Sequence, residues 1–360
     1  MKQSDRFTLH QLLALCSVMA LTPALRLLPG ASAALAGRGG WLSVLLALPA
    51  AIAYGALLWR FAEKRREGET MPALWRRAAG ERLGTALLAL CGLWLLFYAA
   101  FTLRDSAQRL IDTVYPHADR RLFILPLGLV AAVAGAGEAR RLTRCAKLLL
   151  PLLVGAITLT LLFALPELKA DNLLPVAGQG ALPLLKGALP TLDVAALILV
   201  LLLFLSDGLT GERRCRSVAA RIALLGTLMA ALTAAVIGAF GHELTARLSQ
   251  PYFSLVRNLV FFHSLERIEA LLVALWIFSD FLLTAALFLL ARRCLAVLLG
   301  DRKWLPAAVG ALALLTACFL APEAAAFARL SQQGIPMANA AVCLLLIPGV
   351  FLLGRLRKTL

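Results

Sequence analysis

His10–Gly30, HQLLALCSVMALTPALRLLPG, is the stretch from which the rest of the chain is read. Gln11 to Leu21 is nearly all apolar, as the first part of a membrane-spanning helix is. Pro23 then removes a backbone donor and clashes with the preceding turn, and Pro29-Gly30 stops or bends the chain again. Between these breaks sits Arg26, a full charge in an apolar run. An arginine at membrane depth is costly and faces a cavity or a partner. Its other course is to snorkel to the headgroups past a mere kink at Pro23. Helices interrupted near the bilayer midplane can hold a ligand with their freed backbone, so an interrupted first helix is expected here.

Apolar runs recur from this stretch to the end of the 360 residues, and 61% of the chain is hydrophobic. That balance excludes a soluble domain of this length and points to an all-α polytopic membrane protein. The first run is expected to be retained and not cleaved as a signal peptide. Ten transmembrane helices are read at about Thr8–Ala36, Trp41–Phe61, Gly84–Leu103, Leu122–Gly137, Leu148–Leu165, Gly187–Ser206, Ser217–Phe240, Leu265–Leu290, Trp304–Leu320 and Pro336–Leu353. The net charge of +16 comes from basic residues clustered in short loops. With the N-terminus inside, roughly two-thirds of the Lys and Arg fall on the inner side, so both termini are expected in the cytoplasm. The seven cysteines form no CxxC pair and the four histidines are scattered, so neither a disulfide framework, a metal site nor a cofactor is expected.

Ten helices in one membrane domain, residues 1–360, divide into two sets of five, at about 8–165 and 187–353. Helices one and six are then counterparts in oppositely facing halves, a five-plus-five inverted-repeat transporter fold. Both carry a proline interruption, at Pro23 and at Pro190 in GALPTLD, and paired interruptions mark transporter-type sites. Asp193, one turn into helix six, faces the opened site, pairs with Arg26 or meets a ligand's amino group; alternatively, it is an N-terminal carboxylate held by the helix dipole at headgroup level. In helix eight, Glu269 and Asp280 lie eleven residues apart and share a face with Trp276. They form a gate or proton relay, or are buried carboxylates satisfied by hydroxyls and backbone. Glu266, Arg267 and Glu269 suit an ion-pair network at the outer mouth. Arg104 and Asp105 are expected at the interface, on a polar helical extension of span three. Trp94, Phe97 and Tyr98 read as packing or lipid contacts. No HExxH, GxSxG or GxxxxGK[ST] motif occurs, so no enzyme is expected.

PYFSLVRNLVFFHSLERIEALLVALWIF, with Tyr252-Phe253, Leu255-Val256-Arg257, Glu266-Arg267-Ile268-Glu269 and Trp276, resembles the endospore-germination permease family, the B-subunits of nutrient germinant receptors. LPGASAALAGRGGWLSVLLA and NLLPVAGQGALPLLKGALP agree in order and spacing. The resemblance implies a fold related to amino acid–polyamine–organocation transporters. It also implies nutrient sensing, often of an amino acid, in the inner spore membrane or cell membrane. An A-type membrane subunit and a C-type lipoprotein would be the partners, with no nucleic acid. The ligand would lie near Leu21, Thr22, Pro23 and Ala24 on helix one and Pro190, Thr191 and Asp193 on helix six. One departure stands out: where such members have a glycine-rich break, this chain has none and adds Arg26, expected to serve as the anion partner or to lock to Asp193 or Asp280. A proton- or cation-coupled amino-acid transporter is the other reading of the same helices.

Overall fold

The computed structural model describes residues 5–66, 68–176, 178, 180–210, 215–259 and 268–359. The helices are α1 (Leu9–Ala36), α2 (Gly40–Glu63), α3 (Met71–Ala79), α4 (Glu81–Thr113), α5 (Arg121–Gly135), α6 (Ala139–Ala164), α7 (Ala170–Leu173), α8 (Ala181–Gly187) and α9 (Leu189–Leu205). They continue with α10 (Cys215–Phe240), α11 (His242–Arg247), α12 (Pro251–Asn258), α13 (Ile268–Leu299), α14 (Leu305–Phe319), α15 (Ala324–Arg329), α16 (Ile335–Asn339) and α17 (Ile347–Leu356). Among the described residues, seven segments are long and apolar enough to cross a membrane. The first of them, Leu9–Glu63, turns at Gly37–Gly39 and makes two crossings, and the shorter apolar helices α5 and α14 bring the rods to ten. Exposed leucines, valines and phenylalanines on α5, α6, α14 and the C-terminal rod present an apolar exterior, which only lipid or another membrane protein can cover. The chain is an integral membrane protein.

The central rods pair across the two halves of the chain. α1 packs on α9, α2 on α10, α4 on α13 and α5 on α14. Four of the five helices of the first set thus meet their counterparts of the second, while α6 packs on α1, α10 and α13 instead. A two-residue parallel ladder, β1 (Phe7–Thr8) with β2 (Leu209–Thr210), ties the start of α1 to the end of α9. The two central helices therefore run antiparallel. α9 is buried from Ala196 to Leu205, and much of α1 is buried too. Where α8 meets α9 the backbones press together: a Cβ on Gly187 would lie 2.6 Å from Ser43 Oγ, and Ser32 Oγ donates to the Gly187 carbonyl at 3.3 Å.

The expected break of helix one at Pro23 is absent, since α1 is helical from Leu9 to Ala36 through both prolines. Burial on several sides holds it, and Ser279 of α13 donates to the Val18 carbonyl at 2.7 Å, next to the turn that Pro23 disturbs. Neighbouring hydroxyls of this kind are how membrane helices tolerate proline. In helix six, Pro190 opens α9 as a first-turn residue, where its missing donor costs nothing. The interruption lies two residues earlier, at Ala188, whose near-helical backbone (φ −75°, ψ −22°) hardly diverts the axis.

The strongest departure from a plain helix is in the last rod. α15, α16 and α17 are joined by two π-helical segments, Leu330–Gly334 and Ala340–Leu346. The basic loop after α2 also folds further than its sequence suggested. It contains α3, whose Trp75 is fully buried against Phe204 of α9, ring centroids 5.4 Å apart.

Candidate functional site

Four charged side chains from three helices form a chain through the middle of the bundle. Arg26 of α1 meets Asp105 of α4, Nε to Oδ2 at 3.1 Å. Asp105 also faces Arg109 one helical turn on, at 3.7 Å. Arg109 in turn donates from Nη2 to Asp280 of α13. Asp105, Arg109 and Asp280 are all buried. With two cations and two anions in alternation, the network is neutral overall, which is what burial at this depth requires.

Arg26 is therefore neither snorkelling nor locked to Asp193 or Asp280; its partner is Asp105. That residue and Arg104 are not interfacial. α4 is one helix of 33 residues, about 50 Å long at 1.5 Å per residue, and its polar stretch descends into the bundle. Arg104 lies over the Phe327 ring at 4.5 Å and bonds Gln108 at 2.8 Å. The partner of Asp280 is an arginine, not hydroxyls and backbone. Beside the pair, Trp276, Ser106 and Thr113 help line a cavity of about 10 Å³, the lower limit for one water. Glu266 and Arg267 lie outside the described residues, and so does the side chain of Glu269, so their expected roles as a network and gate stay with the sequence.

Asp193 has different surroundings. No ion pair reaches it among the described residues. The groups around its carboxylate are the Asn339 amide from α16, Tyr98 from α4 and Cys343 from the second π segment. Asn339 is 1% exposed, and its amide has no polar partner besides the Asp193 carboxylate. Tyr54 of α2 donates to the Cys343 carbonyl, which pins that segment. Tyr98 is thus part of a polar centre and not only packing, while Trp94 and Phe97 do stack beside it. Thr22 of α1 and Thr191 of α9 are buried with unpartnered hydroxyls, and Leu21 and Ala24 are buried apolar neighbours on α1. The expected residues thus divide. Thr22, Thr191 and Asp193 keep free polar capacity, whereas Arg26 and Asp280 are consumed by structural pairs. Reading the sequence missed Arg109 and Asn339. Arg109, four residues after Asp105 in a helix, was the available signal for the first, and a lone Asn in an apolar span for the second.

Two further clusters bound this centre. On the face that carries both ends of the described chain, Asp5 pairs with Arg293 at 2.6 Å and Arg65 with Asp207 at 2.5 Å. Asp207 also accepts from the Met71 amide at 2.9 Å. Toward the other face, Tyr252 and Phe253 of α12 pack on Trp276 with centroids 6.3 and 5.6 Å away. Tyr252 shares a hydrogen bond with Thr160 at 3.2 Å. The aromatic lead-in and the tryptophan, separated in sequence, thus form one clamp between α12 and α13.

Comparison with known proteins agrees with this architecture. The family described as spore germination protein matches over residues 6–324. Spore germination protein KB of Bacillus subtilis (strain 168) is 24% identical over 284 residues, covering 78% of this chain and 75% of that protein. Among solved structures, a manganese transporter of Eremococcus coleocola aligns with TM-score 0.52 and 15% identity over 95% of this chain and 78% of its own. A second structure of that transporter aligns at TM-score 0.48 and 17% identity, with the same coverage. The fold is that of a transporter, and the chain belongs to the spore germination protein family.

Proposed function

We propose that this member of the spore germination protein family is the B-type membrane subunit of a nutrient germinant receptor. It binds a small nutrient, an amino acid in the first instance, at mid-membrane between α1 and α9, and binding triggers germination. The observation that carries the reading is the set of unpartnered buried polar groups, Thr22, Thr191 and the surroundings of Asp193, on the two central antiparallel helices. Buried polar groups without partners are costly, and a ligand that satisfies them recovers that cost. The role is non-enzymatic, with an A-type membrane subunit and a C-type lipoprotein as partners. The membrane is the inner spore membrane or the cell membrane, and both termini are cytoplasmic, in keeping with the basic loops.

The transporter fold favours a second reading, a free-standing proton- or cation-coupled amino-acid transporter. Co-expression with A- and C-type subunits and reconstitution into liposomes separate the two. The receptor reading expects a co-purifying complex and no concentrative amino-acid uptake by the chain alone. Uptake by the lone chain, without complex formation, would establish the transporter instead. A panel of amino acids, sugars and nucleosides then identifies the nutrient by thermal stabilisation. Ligand at about 100 times its dissociation constant stabilises by roughly 2.7 kcal/mol.

A further inference from the structure

We infer that Asp193 and Asn339 form a binding site for a small desolvated monocation, at the point where the C-terminal rod leaves α-helical geometry. The cation is the primary ammonium group of an amine ligand or an alkali ion, since both present a compact single positive charge to oxygen ligands. The ammonium form rests on the reading that a nutrient binds between α1 and α9; the alkali-ion form does not.

Asn339 is costly where it stands. An amide at 1% exposure whose one polar neighbour is a buried carboxylate, itself without a counter-ion, is destabilising in an apolar span. The side chain is held there by its backbone. It ends a five-residue α-helical segment between Leu330–Gly334 and Ala340–Leu346, both π-helical. Single π turns recur at functional sites because the wider turn redirects side chains and loosens the backbone ladder. Here the redirected side chain lies against the carboxylate of Asp193, on the facing helix.

The second part is the charge balance. Asp105 and Asp280 each have an arginine, and their network is neutral without help. Asp193 faces an amide, a tyrosine and a cysteine, all neutral as ordinary side chains. A carboxylate oxygen and an amide oxygen with the Tyr98 hydroxyl nearby are hard neutral-to-anionic donors, suited to an ammonium or alkali ion and unsuited to an anion. The site carries one negative charge, which one monocation neutralises and a divalent ion would overcompensate.

The test uses the full-length protein in nanodiscs at constant ionic strength in choline chloride. Choline is the control, because its quaternary nitrogen has no hydrogen to donate. Methylammonium, ammonium, potassium and sodium chlorides each replace it in turn while thermal unfolding is followed. The expected result is saturable stabilisation by at least one of these ions, with Asp193→Asn and Asn339→Leu each raising the half-saturating concentration at least tenfold. Asn339→Leu should also unfold cooperatively in choline, within a few degrees of wild type. That keeps its loss of response from being a folding defect. Stabilisation by methylammonium and ammonium alone identifies the amine of a ligand; stabilisation by potassium or sodium as well identifies an ion site. No response beyond choline, or a wild-type response in Asn339→Leu, overturns the inference. Failure here is separable from failure of the nutrient reading. A nutrient whose stabilisation is lost in Thr22→Val but kept in Asn339→Leu leaves that reading standing and removes the ammonium form of this one. A cation response with no nutrient response, alone or with the partner subunits, does the reverse.

Discussion

Asp280 and Asp193 are the same side chain on two helices at membrane depth, with opposite surroundings. Asp280 is clamped by Arg109 and belongs to a neutral chain of four charges joining α1, α4 and α13. Asp193 has no ion-pair partner among the described residues, and its one polar partner is the buried Asn339 amide. A buried charge that has its counter-ion within the fold holds helices together. One without it is available to something that arrives from outside. On the proposed reading, the contrast divides the polar residues of the bundle into those that fix the structure and those that respond to a ligand.

Breaking the clamp should give the largest effect. Asp280→Leu leaves the Arg109 guanidinium with only the 3.7 Å contact to Asp105. Losing one partner of a buried pair costs about 3–5 kcal/mol, read as an earlier thermal unfolding midpoint in detergent. The double variant Arg109→Met/Asp280→Leu should recover most of that, because no lone charge remains. Arg26→Ala comes next, at about 1–3 kcal/mol for the loss of one partner of the buried Asp105 carboxylate. The effect is smaller because Arg109 still faces Asp105. If Arg26 serves structure alone, the nutrient response survives this change; if it also holds a ligand's carboxylate, the response falls. Asp193→Asn should be nearly silent in unliganded stability, within about 1 kcal/mol, since no ion pair is lost. A loss as large as that of Asp280→Leu would erase the distinction between the two carboxylates.

The smallest effect is at the membrane surface, where ion pairs contribute little. Arg77 donates to both oxygens of Glu69 at 2.8 and 2.9 Å and holds that carboxyl below its ordinary value of 4.5. A carboxyl lowered in the folded state stabilises fully above its unfolded value and loses that contribution as pH falls through the folded one. Glu69→Gln should therefore lower stability at pH 7, by about 1 kcal/mol or less, and flatten the profile from about pH 4.5 downward.

Run length made the ten rods legible, because an apolar segment of about 20 residues has few fates other than crossing. The likeness in the α12–α13 region pointed correctly to the family, and the structure gives part of that motif a physical role, with Tyr252, Phe253 and Trp276 in mutual contact. The state of α1 was not legible. A proline pair signals a break only if no neighbour braces the turn, and the bracing hydroxyl, Ser279, is 261 residues away from Val18. The partner of Arg26 was hidden for a related reason. Asp105 looked interfacial because a polar stretch followed an apolar one, but a 33-residue helix can carry polar side chains into a bundle when arginines from two helices meet them. The two π segments had no signal at all in LSQQG or AAVCLLL. Without them nothing in the sequence joined Asn339 to Asp193.

The most direct measurement is nutrient-induced thermal stabilisation of the purified chain, alone and with the proposed A- and C-type subunits, in wild type and Asp193→Asn. The account predicts a shift in wild type, in at least one of the two assemblies, that disappears in Asp193→Asn while the unliganded midpoint barely moves. Equal shifts in wild type and Asp193→Asn, or no shift in either assembly, would contradict it and leave the chain as a structural subunit that binds no nutrient.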